Sequence, residues 1–241
     1  MTSKPENNFT ILIVDEEPFN RMSLINILGK LKTNCYEVGN IKELFDIVKT
    51  MYFDLVFIDS KMTKIQNSNV SEFILENNSE CQFVVMGADI NQKDLCLYIK
   101  SGFSYFVEKP FSTELITQIM QWHFEYQNEN TSHLEKKQLL NILGNDEEFI
   151  HKMIDLYIDT SKNDFEKLLN FYENSDFTNI REVAHKMSSP AGQIGATLLH
   201  KLLKSLEMET TNQNNNSTKY FYIFASINSA IKKVHSILKT I

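Results

Sequence analysis

The chain predicts two folds in series: a doubly wound, five-stranded parallel α/β sheet, then an all-α bundle. Three observations carry this expectation. Five apolar runs alternate with helical patterns up to about residue 110, strand patterns then stop, and residues from about 132 onward read as helix only. Strands alternating with helices specify a parallel sheet with right-handed crossovers.

The runs 10–14, 34–38, 54–58, 82–86 and 105–107 read as buried strands. Pro18 suits a first helical turn, and Phe19, Met22, Ile25 and Leu28 follow at helical spacing. Ile41, Leu44, Phe45 and Val48 mark a second helix, and Phe73, Ile74 and Asn77 a third. Leu95, Tyr98 and Ile99 mark a fourth, ending near Gly102; Leu115, Ile116, Ile119 and Met120 mark a fifth. Ligands of such sheets gather beyond the carboxyl ends of the strands. Asp15, Asp59, Gly87 and Lys109 all fall at or just past predicted strand ends.

In the second half, Ser132 with Glu135 three residues later forms a capping-box signature. Further helices are expected at 146–159, 161–172, 178–190, 196–208 and 220–238. Leu139, Leu140 and Leu143, then Phe149, Met153 and Leu156, give apolar stripes expected in a bundle core. The short polar segment 127–131 divides the chain into expected domains 1–127 and 132–241, and the asparagine-rich stretch 210–218 reads as an exposed loop.

Charge is unevenly placed. Of a net −7 over 241 residues, all falls in residues 1–130, while 131–241 sum to zero. Neither half offers the basic face that nucleic-acid binding requires, so a DNA-binding output is disfavoured. No apolar stretch approaches the ~18 residues of a membrane span, and the start lacks a secretory signal. Three scattered cysteines, Cys35, Cys81 and Cys96, fit reduced thiols in a cytoplasmic protein.

Asp59 closes an apolar run, so its carboxylate sits at the sheet rim as a candidate nucleophile toward a phosphoryl group. Attacker and target are both anionic, and Mg²⁺ absorbs that charge. Asp15 or Glu16 with Asp59 and one backbone carbonyl, most naturally that of Lys61, would hold the cation. Lys109 reaches across as a point charge. Lys61 and Asp89 should flank the pocket mouth, where a salt bridge would hinder hydrolytic water.

This pattern resembles the response-regulator receiver domain over residues 9–127: ILIVDEEP looks like its acid-pair turn, LVFIDSKM its phosphoacceptor segment and FVEKPF its lysine–proline signature. The resemblance implies a flavodoxin-like fold, with Asp59 as phosphoacceptor, Asp15 and Glu16 on Mg²⁺, and Lys109 on the phosphoryl group. It also implies Phe106 as the switch aromatic and a cis peptide before Pro110. Three departures stand out. Gly87 replaces the Ser or Thr whose hydroxyl follows the phosphoryl oxygen, so phosphorylation should couple poorly to Phe106. Thr63 replaces a proline, and KIQNSN replaces an Asp-Gly turn.

Among six histidines, His185 lies in AHKMSSPAGQIGA. Ser188 and Ser189 fall one helical turn away, and Ala191, Gly192 and Gly195 are small enough to admit a partner surface and a phosphoryl group. A neutral imidazole has a free nitrogen nucleophile. Gln193, two turns along, either hydrogen-bonds phosphoryl oxygens or is plain surface polarity. Residues 132–241 resemble the histidine phosphotransfer (HPt) domain, a four-helix bundle with an extra N-terminal helix. That resemblance makes His185 the phosphorylated residue. Ser188 and Ser189 replace the family's frequent lysine and glycine, Lys186 points elsewhere on the helix, and Pro190 removes a backbone donor.

Together the two resemblances imply a phosphorelay carrier between an upstream histidine kinase and a downstream response regulator, as in the C-terminal part of hybrid sensor kinases. No GxGxxG or GxxxxGK[ST] loop appears, so an ATP-dependent activity is not expected. The alternative is a degenerate receiver–HPt module acting as a non-phosphorylated interaction protein.

Overall fold

The computed structural model describes residues 9–31, 33–63, 70–78, 80–129, 147–211 and 216–240. They divide into two compact units. The first comprises residues up to Asn91 together with Ser101–Phe124, and the second comprises Gln92–Lys100 and residues from Glu125 onward.

The first unit contains the expected parallel sheet. Its strands are β1 (Thr10–Val14), β2 (Asn34–Val38), β3 (Leu55–Asp59), β4 (Gln82–Gly87) and β5 (Tyr105–Glu108), in the order β2-β1-β3-β4-β5. That order is the flavodoxin-like doubly wound topology. β1 and β3 are buried throughout, as apolar runs covered on both faces must be. β2 lies at the edge and is largely exposed. Three strands end one residue beyond their apolar runs, because Asp59, Gly87 and Glu108 still occupy ladder positions: Asp59 pairs with Met86, and Gly87 with Glu108.

Helix α1 (Pro18–Gly29) begins with Pro18 in its first turn. It buries Leu24, Ile27 and Leu28, while Phe19 and Met22 of the anticipated stripe are exposed. α2 (Ile41–Val48) is capped by Asn40, whose side chain accepts from the Glu43 N–H at 3.0 Å. α3 (Ser60–Thr63), α4 (Val70–Asn77) and α6 (Thr113–Glu129) as far as Phe124 complete this unit. KIQNSN falls outside the described residues.

The second unit is a helical bundle. α5 (Gln92–Lys100) clusters with it. Among the described residues its four long helices are α7 (Glu147–Glu173), α8 (Phe177–Gln193), α9 (Thr197–Thr211) and α10 (Ser217–Leu238). α7 replaces the two helices expected at 146–159 and 161–172. No Pro or Gly interrupts it, and the Ser161 hydroxyl bonds back to the Ile158 carbonyl at 3.1 Å instead of capping a new start. Phe149, Met153 and Leu156 are exposed, contrary to expectation; the buried stripe is one residue over, at Ile150 and Ile154. Tyr172, Phe221 and Phe224 anchor the core, and the Asn228 amide donates to the Ile99 carbonyl at 2.7 Å. Ser132, Glu135, Leu139, Leu140 and Leu143 lie outside the described residues.

Among the described residues, no helix is long and apolar enough to cross a membrane. The three cysteines are free, and burial pushes the thiols of Cys81 and Cys96 up, the latter to about 11.

Candidate functional site

The parallel register brings the ends of β1, β3, β4 and β5 to one rim. The chain reverses its strand order between β1 and β3, and ligands of such folds sit at that switch point. Asp15 follows β1 and Asp59 ends β3, so their carboxylates meet there. Both are buried, with side-chain exposures of 0% and 7%.

Lys109, just past β5, joins them. Its Nζ donates to Asp15 Oδ2 at 2.6 Å and also to Asp59 Oδ2. Burial opposes the ammonium charge, but the two carboxylates outweigh it and hold Lys109 above the ordinary lysine range. The Lys61 N–H donates to Asp59 Oδ1 at 2.7 Å, which places the backbone of residue 61 at the rim. Asp15 is oriented from α1: the Glu17 N–H donates to its Oδ1 at 2.9 Å, and the Asn20 amide reaches both carboxylate oxygens, at 3.3 and 3.1 Å. Arg21 Nη1 donates to the carbonyls of Asp15 and Glu16. Nothing in residue spacing singled out Asn20 or Arg21 beforehand.

Glu16 stands apart from the pair. Its side chain is exposed, and among the described residues no three His, Cys, Asp or Glu side chains converge as a metal-binding group. Mg²⁺ needs no such trio, because it takes one or two carboxylates and keeps several waters. Two buried carboxylates sharing one ammonium carry an uncompensated negative charge, so the donor set fits a hard cation. Lys61 and Asp89 are both exposed and form no ion pair among the described residues. The peptide before Pro110 is cis, as expected. Phe106 is buried in β5.

The second candidate lies on α8. The His185 side chain is 68% exposed, and its Nδ1 lies 3.0 Å from Glu207 Oε1 on α9. A carboxylate only accepts, so Nδ1 is the donating nitrogen, and in the neutral ring Nε2 is the one with the lone pair. Lys204 bonds the other Glu207 oxygen at 2.9 Å; with the smaller help of His185, it keeps the Glu207 carboxyl below its usual range. Glu207 and Lys204 lie on the following helix, and the spacing around His185 predicted no role for either.

The small residues near His185 serve the fold. Ala191 is fully buried, and a Cβ on Gly192 would lie 3.1 Å from His200 Nδ1, so Gly192 lets α8 approach α9 closely. Gly195 has φ +79°, the left-handed conformation that terminates α8. Of the residues expected to admit a partner, Ala191 is buried and cannot face one, while Gly192 is exposed. Ser188 is buried as well; its hydroxyl donates to the His185 carbonyl at 2.8 Å. Ser189 and Gln193 are exposed on the His185 side of the helix. Lys186 points away to the buried Asp164, with Nζ 2.9 Å from Oδ2. α8 continues past Pro190 to Gln193.

Residues 11–121 match the family model of the response regulator receiver domain. This half of the molecule is a receiver domain. Among curated proteins, the chain is 30% identical over 112 residues to stress response regulator protein 1 of Candida tropicalis, covering 45% of this chain and 42% of that protein. It is 22% identical over 139 residues to hybrid signal transduction histidine kinase K of Dictyostelium discoideum, covering 54% of this chain but 12% of that one. The chain thus spans less than half the length of either relative. A response regulator from Thermotoga maritima aligns with 49% of this chain at 22% identity and a TM-score of 0.46.

Proposed function

We propose that the chain is a phosphoryl carrier of two-component signalling, with Asp59 and His185 as its two acceptors. The observation that carries this is Lys109, whose ammonium bridges the buried carboxylates of Asp15 and Asp59 at the switch-point rim. An Asp59 oxygen forms a bond to phosphorus while the donor's P–N bond breaks, and the donor imidazole leaves with the electron pair. Lys109 moves with the charge onto the phosphoryl oxygens. Mg²⁺ held by Asp15, Asp59 and the Lys61 carbonyl would neutralise negative charge on attacker and target.

At the second site, His185 Nε2 attacks phosphorus on an aspartyl phosphate, and the departing carboxylate takes the electron pair. Nδ1 keeps its proton throughout, held by Glu207. Ser189 and Gln193 lie beside the incoming group. The partners implied are an upstream histidine kinase and a downstream response regulator, in the manner of an HPt domain. The group arrives from a partner and leaves to one, so the chain needs no ATP site of its own.

Gly87 favours a second reading, a receiver that docks partners without taking phosphate. One experiment separates the two. Intact mass is followed after incubation with acetyl phosphate and Mg²⁺ for wild type, Asp59→Asn and His185→Gln. A gain lost only in Asp59→Asn supports the carrier, and no gain in wild type supports the docking module. Exposure to a phosphorylated receiver then tests His185: label should appear in wild type and not in His185→Gln.

A further inference from the structure

Gly87 ends β4, and it is not among the residues with positive φ, so backbone conformation does not call for glycine here. What it provides is room. A Cβ at residue 87 would lie 2.6 Å from Ile90 Cδ1, 2.7 Å from Ser60 Oγ and 2.8 Å from Ile90 Cγ1. Glycine in a strand often marks such a close approach. Of the two neighbours, Ile90 fills space and Ser60 brings chemistry. Its half-buried hydroxyl belongs to the residue directly after Asp59. It presses against residue 87, whose carbonyl accepts the Lys109 N–H at 3.0 Å. The hydroxyl, the carboxylate and the ammonium-bearing residue therefore sit on adjacent strand ends.

We infer that Ser60 supplies the phosphoryl group on Asp59 with the hydroxyl contact that residue 87 cannot make, and that Gly87 is there to accommodate the Ser60 side chain. The inference rests on Asp59 as acceptor. A phosphoryl group brings close to two negative charges and three acceptor oxygens. Lys109 already divides its charge between two carboxylates, so an O–H donor at the rim adds a charge-assisted bond. Ser60 keeps its proton and forms no covalent bond.

The test uses the full chain, with beryllofluoride and Mg²⁺ as a phosphoryl stand-in and the melting temperature as the readout of binding. Ser60→Ala should weaken beryllofluoride binding on the order of tenfold. Ser60→Thr, which keeps the hydroxyl, should bind as wild type does. Wild-type binding in Ser60→Ala, or an equal loss in Ser60→Thr, overturns the inference while leaving Asp59 as acceptor. A wild type that binds no beryllofluoride and takes no phosphate from acetyl phosphate overturns both together.

Discussion

Each unit buries an aspartate against lysine, and the two arrangements differ in arithmetic. At the sheet rim, one ammonium, Lys109, serves two carboxylates, Asp15 and Asp59. In the bundle, two ammoniums, Lys167 and Lys186, serve one carboxylate, Asp164. The first set is left with a negative charge it cannot satisfy internally, and the second is left with a spare positive charge facing water. The same residue types thus leave net negative charge in one unit and a closed structural pair in the other. Counting charges around a buried carboxylate separates a chemical site from a brace better than burial alone.

The largest expected effect comes from removing the shared ammonium. Lys109→Met leaves two adjacent buried carboxylates facing each other, which should cost about 3 kcal/mol in urea unfolding and abolish phosphorylation of Asp59. Mg²⁺ should raise the melting temperature of this variant more than that of wild type, because the cation takes over the neutralising role. The pH dependence follows the same logic. The Lys109 pKa is raised in the fold, so its contribution is complete below the unfolded value near 10.4 and is lost as pH rises through the folded value. Wild type should lose stability in that alkaline window, and Lys109→Met should lose less. Equal alkaline slopes would count against the shared-ammonium account.

Asp164 provides the contrast. Burial works against its charge, but Lys167 and Lys186 prevail and hold its carboxyl below the usual range. Its contribution is present above the unfolded value of about 3.9 and is lost as pH falls through the folded one. Asp164→Asn should cost roughly 1–2 kcal/mol, since both lysines retain water. It should flatten the acid limb of the stability profile and leave Mg²⁺ binding unchanged. A Mg²⁺ effect from this substitution would break the distinction between site and brace.

Much of the first unit was legible in the sequence because its signals are local. Apolar runs report strands buried on both faces, and an acid or lysine directly after such a run must reach the rim. Gly87 was legible as a missing hydroxyl, but not as space for Ser60, which takes a neighbouring strand to create. The bundle was less legible. Phe149, Met153 and Leu156 have the right spacing for a core stripe, yet the equally periodic Ile150 and Ile154 are the residues buried. Ala191, Gly192 and Gly195 looked like an opening to a partner. Their roles depend on His200 across the helix pair and on a left-handed turn, neither of which periodicity encodes.

The smallest expected change in stability belongs to Glu207, and it bears most directly on how the two proposed acceptors differ. A carboxylate that attacks phosphorus does so as an anion meeting an anion, so its proposed site needs nearby positive charge, which Lys109 supplies at Asp59. An imidazole attacks without carrying a negative charge and needs its lone pair aimed, which a single hydrogen bond to Glu207 can do. Glu207→Gln keeps an acceptor oxygen for Nδ1 but removes the charge that fixes the tautomer. The cost to stability should stay below about 1 kcal/mol, visible as a small shift in the denaturation midpoint. Transfer of phosphate from a phosphorylated receiver to His185 should slow by roughly tenfold, as expected when an orienting partner of histidine is weakened. Glu207→Ala should slow it further. If both variants load His185 at the wild-type rate, orientation by Glu207 is not what readies that nitrogen, and exposure alone distinguishes His185 from the buried carboxylate.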